Sequence, residues 1–222
     1  HPEPAGPDAV AWIPSRESAA GADAPGRDSR EPVKCHGIFY RAAEPRSGTG
    51  TSASHPGSAV IRIHGGPTSC YYAEYDPDVQ FYTTRGYAVL ALNYRGSTGY
   101  GRAYRSLLDG RWGISDVEDV RDAAEYLVNR GLADRKRIFL DGGSAGGFTL
   151  LLSLIRNPGF FAGGICRYGI ADLLMLAEET HRFEAHYLDT LIGKLPEEAD
   201  CYRERSSLES LDSLVDPIAV FQ

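Results

Sequence analysis

Short apolar runs recur along the chain from residue 35 onwards, separated by segments rich in glycine, proline and charged residues. Most of these runs are apolar at successive positions and contain β-branched or aromatic residues, which is typical of strands covered on both faces of a sheet. They predict strands at residues 35–41, 59–64, 87–93, 137–141, 163–168 and 217–221.

Two longer segments between these strands have the pattern of helices. Residues 115–130 carry an apolar stripe, formed by Val117, Val120, Ala124, Leu127 and Val128. Ser115 and Glu118 have the spacing of a capping box at its start, and Gly131 follows its end. A second helix is predicted over residues 145–156, where an Asn-Pro pair ends it. Strands that alternate with helices predict an α/β fold, with a mainly parallel sheet and helices on both of its faces.

Two segments lack any hydrophobic period. Residues 1–34 are rich in proline, alanine, glycine and charged residues, and residues 46–58 are rich in serine, threonine and glycine. The first segment is interpreted as a linker, and the second as an exposed loop between two strands. The predicted folded domain therefore spans residues 35–222, a length that is sufficient for one hydrophobic core.

Composition narrows the classes of function. The chain has 42% apolar residues and a net charge of −7 without a basic stripe, so nucleic acid is not an expected partner. The four cysteines are far apart in sequence, which disfavours structural zinc and is typical of reduced thiols in a cytoplasmic protein. The apolar runs are too short to cross a bilayer, and the first residues do not resemble a signal peptide. We therefore expect neither membrane insertion nor secretion, and the sequence indicates no oligomeric state.

The clearest candidate for chemistry is a Gly-x-Ser-x-Gly segment between a predicted strand and a predicted helix. It is Gly142-Gly143-Ser144-Ala145-Gly146-Gly147. In this motif the serine lies on a sharp turn that exposes its hydroxyl, and the glycines avoid clashes with the neighbouring strand and helix. The N–H of Ala145, at the helix start, can stabilise a developing oxyanion. We predict Ser144 as the nucleophile and Ala145 as an oxyanion donor; the alternative is a glycine-rich turn with a bystander serine.

A second glycine-rich loop follows the predicted strand at residues 59–64. It is His64-Gly65-Gly66-Pro67, and a loop of this kind can present a bare N–H as the second oxyanion donor. We predict that Gly66 is this donor. His64 precedes the serine, which is the wrong chain order for the base of this motif, so it is interpreted as a residue that shapes the loop.

Signatures of other ligands are absent from the sequence. The glycine-rich segment 93–101 contains no Gly-x-Gly-x-x-Gly pattern, and the chain has neither a Walker loop nor a His-Glu-x-x-His pair. His181 and His186 are five positions apart, which does not place two metal ligands on one helix face. We therefore expect no cofactor and no metal.

These segments resemble the catalytic domain of the prolyl oligopeptidase family of serine peptidases, in the branch of the acylaminoacyl peptidases and dipeptidyl-peptidase V. The matching positions are 64–68, 85–89, 93–102, Trp112, Gly113, Asp116, 142–147, Tyr168, Gly169, Asp172, Leu173 and 179–188. The resemblance implies an α/β-hydrolase domain that follows a β-propeller, so that residues 1–34 are a remnant of the linker between them. It also implies cleavage of short peptides through an acyl-enzyme on Ser144, with Ala145 and Gly66 as oxyanion donors.

The triad of this fold runs serine, aspartate, histidine in chain order. The family's aspartate follows a strand that corresponds here to residues 218–221, and the sequence stops at Gln222. Of the aspartates that follow the serine, none of Asp172, Asp189, Asp212 and Asp216 directly follows a predicted strand. We therefore expect a partial α/β-hydrolase domain, incomplete at its C-terminus, whose triad Asp and His lie beyond Gln222 and whose activity is impaired.

Three functions stay open at this point. The first is a serine peptidase that acts on short or N-acylated peptides, which the segment 179–187 favours. The second is a carboxylesterase of the same fold. The third is a non-catalytic, truncated α/β-hydrolase module, and the end of the sequence at a strand favours truncation over an evolved binding module.

Overall fold

The apolar runs of the sequence pair into one sheet. The computed structural model of the protein describes residues 6–12, 33–43, 57–179 and 187–222. Within these ranges the strands are β1 (Pro7–Trp12), β2 (Cys35–Tyr40), β3 (Ser58–Ile63), β4 (Tyr87–Asn93), β5 (Ile138–Gly143), β6 (Gly163–Arg167) and β7 (Ile218–Phe221). Their order across the sheet is β1-β2-β4-β3-β5-β6-β7.

The sheet is mainly parallel. Strands β4, β3, β5, β6 and β7 pair in parallel, whereas β1 and β2 form an antiparallel pair and β2 is antiparallel to β4. Every residue of the central strand β3 is buried, as expected of a strand covered on both faces. The six strands predicted from the sequence are confirmed to within two residues of their ends, and the α/β-hydrolase type of fold is confirmed with them.

Helices cover both faces of this sheet. They are α1 (Pro77–Thr83), α2 (Arg102–Arg105), α3 (Ser115–Asn129), α4 (Ala145–Arg156), α5 (Leu173–Glu179), α6 (Tyr187–Leu191) and α7 (Ala199–Arg205). Alternate residues of β4 show the two layers: Leu90 and Leu92 belong to the main core with α3 and α4, whereas Val89 and Ala91 form a smaller cluster with Val79 of α1. None of the helices in the described ranges is both long and apolar enough to span a bilayer.

Strand β1 lies within the segment 1–34 and corrects its interpretation as a linker at residues 7–12. It pairs with β2 along its whole length, from Pro7 opposite Tyr40 to Trp12 opposite Cys35. The Trp12 ring is buried and stacks on Tyr126, with ring centroids 5.0 Å apart. Most of this edge strand is exposed, so its sequence lacks an apolar pattern from which a strand could be predicted. Its hydrogen bonds depend on pairing with β2. The predicted loop 46–58 lies almost wholly outside the described residues.

The predicted capping box of α3 is also wrong. Ile114 occupies the capping position, and no side chain caps the helix there. The Ser115 hydroxyl accepts a hydrogen bond from Arg111 Nε at 2.7 Å, and Glu118 forms an ion pair with Arg95 at 2.9 Å. The buried Arg95 and the half-buried Arg111 therefore engage the two side chains that the local pattern assigned to the cap. The predicted helix end is confirmed, because Gly131 follows with a φ of 67°.

Candidate active site

Ser144 lies on a strained turn between β5 and α4. Its φ is 53° and its ψ is −125°, a conformation that a residue with a side chain adopts at a cost of about 1–3 kcal/mol. The Ser144 N–H donates to the carbonyl of Arg167 on β6 at 3.1 Å, which ties the turn to the neighbouring strand. This is the geometry that the Gly-x-Ser-x-Gly pattern predicts, and it exposes part of the serine at the carboxyl edge of the parallel strands.

The glycines around Ser144 permit close approach of backbone segments. A Cβ atom on Gly142 would lie 2.5 Å from the carbonyl oxygen of Gly146. A Cβ atom on Gly146 would lie 2.2 Å from the carbonyl oxygen of Ile63, at the end of β3. Only glycine therefore allows the first turn of α4 to pack directly against β3, as the motif requires.

The His-Gly-Gly loop lies beside this turn. A Cβ atom on Gly65 would be 3.5 Å from the Cβ of Ser144 and 4.0 Å from the backbone nitrogen of Ala145. Gly66 follows with a φ of 122°, which favours glycine. The structure thus brings together Ser144, Ala145 and the loop that carries Gly66, although the two segments are nearly 80 positions apart in the sequence.

His64 is buried, and its described hydrogen bonds are made to residues other than Ser144. Its Nε2 atom is 2.7 Å from Ser97 Oγ and its Nδ1 atom is 2.9 Å from the carbonyl oxygen of Gly65. The ring stacks on Tyr94, with centroids 4.3 Å apart. Burial lowers the pKa of His64 from its ordinary value of 6.5 to about 4, so at neutral pH one ring nitrogen donates and the other accepts. Both nitrogens are engaged, so His64 cannot serve as the base for Ser144 in this arrangement.

The low pKa of His64 predicts a loss of stability in mild acid. The unfolded chain takes up a proton on His64 near pH 6.5, whereas the folded protein resists protonation until about pH 4. This contribution to stability is therefore complete above pH 6.5 and declines as the pH falls towards 4, by at most about 1.4 kcal/mol per pH unit. Urea unfolding at pH 7, 6 and 5 measures the slope, which should be shallower in a His64→Gln variant; equal slopes would contradict the prediction.

The described residues include no histidine or aspartate positioned to act with Ser144 as a general base or to orient one. Of the two histidines in the described ranges, His64 is engaged as above, and His36 stacks on Tyr100 with centroids 4.2 Å apart. Asp172 accepts the N–H groups of Leu174 and Met175 at the start of α5, and Asp216 accepts the N–H of Gly159. No described histidine or carboxylate forms a hydrogen bond with Ser144 Oγ. His181 and His186 lie outside the described residues.

A buried ion network, which the sequence patterns did not predict, lies just before the turn. Asp141 of β5 lies opposite Arg62 of β3, and its carboxylate is 3.8 Å from Arg62 Nε and 3.0 Å from Arg167 Nη1. Tyr82 of α1 donates to the same carboxylate at 3.1 Å. Burial raises the pKa of Asp141 despite the two arginines. The network links β3, β5 and β6 three residues before Ser144. The sequence feature that could have indicated it is the presence of charged residues inside otherwise apolar strands.

The described residues contain no evident metal site. No group of three or more His, Cys, Asp or Glu side chains in these ranges is arranged to hold a metal ion. The four cysteines, Cys35, Cys70, Cys166 and Cys201, are unpaired.

Comparisons with known proteins agree on one family. The prolyl oligopeptidase family profile matches residues 73–221. The acylamino-acid-releasing enzyme 1 of Oryza sativa subsp. japonica is 32% identical over 160 residues, which is 72% of this chain and 20% of that protein. Dipeptidyl peptidase family member 6 of Caenorhabditis elegans is 30% identical over 184 residues, 80% of this chain and 25% of that protein.

A solved structure is similar over almost the whole chain. It is a puromycin-hydrolysing peptidase of Mycobacterium tuberculosis, with a TM-score of 0.86 and 35% sequence identity over 98% of this chain. The match covers 31% of that structure. The chain therefore spans between a fifth and a third of the length of these similar proteins.

Proposed function

The chain belongs to the prolyl oligopeptidase family of serine peptidases, and from this premise we propose that it hydrolyses short peptides through an acyl-enzyme on Ser144. The observation that carries the proposal is the backbone of Ser144. A serine with a φ of 53° between β5 and α4 is strained, and such strain concentrates at functional sites. The His-Gly-Gly loop lies beside the serine, where its backbone N–H groups can stabilise the oxygen of a substrate carbonyl.

Each residue of the proposed site has a defined task. Ser144 Oγ attacks the carbonyl carbon of the scissile amide, and the negative charge that develops on the carbonyl oxygen is stabilised by the N–H groups of Ala145 and Gly66. Ala145 begins α4, so the positive end of the helix dipole also faces this charge. The hydroxyl proton passes through a general base to the leaving amine as the C–N bond breaks, and water then hydrolyses the ester on Ser144.

The proposal requires a general base, which in this fold is a histidine oriented by an aspartate later in the chain than the serine. We place this base outside the described ranges, because the nitrogens of His64 are engaged elsewhere and His36 lies against Tyr100. Without such a base, a serine hydroxyl is a weak nucleophile at neutral pH.

The names of the similar proteins guide the choice of substrate class. These proteins are named as a member of a dipeptidyl peptidase family, an acylamino-acid-releasing enzyme and a puromycin-hydrolysing peptidase. We propose that this chain likewise acts on short or N-acylated peptides rather than on folded proteins. The unpaired cysteines favour the cytoplasm as its compartment.

The proposal predicts that a fluorophosphonate probe labels the full-length protein on Ser144, as identified by tandem mass spectrometry. The same protein should cleave N-acetyl-alanine and dipeptide amides of a fluorogenic amine with a kcat/KM of about 10⁴ M⁻¹s⁻¹ or more. Matched esters with the same acyl groups are measured in parallel. Ser213→Ala, at an exposed serine, is the control and should leave labelling unchanged. Turnover of the esters alone would identify a carboxylesterase, and an unlabelled Ser144 would indicate a non-catalytic module.

A further inference from the structure

Tyr187 reaches the glycine loop beside Ser144 from a distant part of the chain. It is the first residue of α6 and lies 119 positions after Thr68. Its hydroxyl oxygen is 2.6 Å from Thr68 Oγ1, 3.2 Å from the backbone nitrogen of Thr68 and 3.4 Å from the carbonyl oxygen of Gly66. The Tyr187 hydroxyl thus contacts both Gly66, the proposed oxyanion donor, and Thr68, two positions later.

These contacts use the full hydrogen-bonding capacity of the phenol. A tyrosine hydroxyl has one proton to donate and two lone pairs with which to accept. It can donate to the Gly66 carbonyl while it accepts from the N–H and the hydroxyl of Thr68. The arrangement therefore restrains the loop at Gly66 and at Thr68.

The other carbonyl groups of the loop are held by Tyr94 and His64. Tyr94 donates to the carbonyl oxygens of His64 and Pro67 at 3.3 Å and 2.9 Å, and His64 Nδ1 contacts the carbonyl oxygen of Gly65. Tyr94 is completely buried in the main core next to β4. Only the Gly66 carbonyl, among the carbonyls of residues 64–67 in the described structure, is held by a side chain from α6.

We propose that Tyr187 is a positioning residue for oxyanion stabilisation, acting through the Gly66 carbonyl and Thr68 on the orientation of the Gly66 N–H. This inference rests on the proposed function of Ser144. Two successive glycines make the loop intrinsically flexible, whereas an oxyanion donor lowers the barrier only if it is already oriented when the charge develops. His64 holds the Gly65 carbonyl on one side of Gly66, and the Tyr187 hydroxyl adds a restraint on the other side, at the Gly66 carbonyl and Thr68.

The test is Tyr187→Phe in the full-length protein, with hydrolysis of an N-acetyl-alanine amide as the assay. We expect kcat to fall about 10-fold with KM changed less than two-fold, because an interaction used in the transition state affects kcat alone. The affinity for a peptide aldehyde, whose adduct carries an oxyanion, should fall by the same factor as kcat/KM. The affinity for the corresponding acid product should not change.

Tyr202→Phe is the matched control. The Tyr202 hydroxyl donates to the carbonyl of Gly193 at 2.9 Å, so this variant also removes a phenol hydroxyl from a helix packed outside the sheet. It should leave kcat and aldehyde affinity unchanged. If Tyr202→Phe lowers kcat as much as Tyr187→Phe, or if aldehyde and product affinities fall together, the positioning role is overturned. An unchanged kcat in Tyr187→Phe would overturn it as well.

Thr68→Val tests the same contact from the loop side if Tyr187→Phe does not fold. It removes one of the three bonds to the phenol, so a decrease of kcat smaller than that of Tyr187→Phe is expected, again with KM preserved. An unchanged kcat in Thr68→Val would then overturn the inference. Labelling of Ser144 distinguishes failure of the Tyr187 role from failure of the proposed function. Hydrolysis that depends on Ser144 but is insensitive to Tyr187 refutes only the Tyr187 role. Hydrolysis that is independent of Ser144 refutes both proposals.

Discussion

In the full-length protein, replacement of Ser144 by alanine is expected to reduce kcat for peptide amides by about 10⁶-fold, the effect of removing the nucleophile from a serine protease. Ser144 is the single residue between β5 and α4, and the His-Gly-Gly loop lies beside it. Fluorophosphonate labelling should be lost together with activity, whereas the urea unfolding midpoint should remain the same. Alanine has a Cβ atom like serine and therefore bears the same backbone strain.

The Ser144→Gly variant tests the backbone strain at position 144 separately from the loss of the serine hydroxyl. Glycine adopts a φ of 53° without the steric cost that serine bears, which is about 1–3 kcal/mol. Part of this gain is offset by the greater freedom of glycine in the unfolded chain, about 0.5–1 kcal/mol. We therefore expect Ser144→Gly to be inactive and about 1 kcal/mol more stable than Ser144→Ala. An inactive glycine variant less stable than the alanine variant would contradict the interpretation that the turn is strained.

Gly146→Ala is expected to destabilise the fold severely. The new methyl group would lie 2.2 Å from the carbonyl oxygen of Ile63 and 2.9 Å from that of His64, and both contacts involve backbone. The start of α4 would have to move away from β3, and we expect a loss of more than about 3 kcal/mol in unfolding free energy. The same displacement separates Ser144 from the Gly66 loop, so residual folded protein should lose roughly 100-fold in kcat.

Gly57→Ala is the control for the loss of a glycine as such. A Cβ atom on Gly57 would meet nothing closer than the carbonyl oxygen of Gly86 at 4.0 Å. Its unfolding free energy should remain within about 0.5 kcal/mol of the wild type. Chemical denaturation of both variants measures the difference, and a Gly146→Ala protein as stable as Gly57→Ala would show that α4 and β3 do not pack in direct backbone contact.

The parts of the fold that sequence analysis predicted correctly are those with strong local patterns. The central strands are apolar at nearly every position because helices cover both of their faces, so their bounds could be predicted to within two residues. The exposed edge strand β1 has no such pattern. The cap of α3 was mispredicted for a related reason, since Arg111 and Arg95 engage Ser115 and Glu118 through contacts that local spacing does not reveal.

The sequence by itself determined the turn that carries Ser144, because the sterics of a serine between glycines depend only on neighbours along the chain. It also determined the loop of Gly65 and Gly66 as a separate motif. The tertiary structure decided that these motifs share one edge of the sheet, that His64 is buried and neutral, and that Tyr187 contacts the loop. These properties depend on contacts between residues that are far apart in the sequence, such as the 119 positions between Thr68 and Tyr187. Local sequence patterns do not specify such contacts.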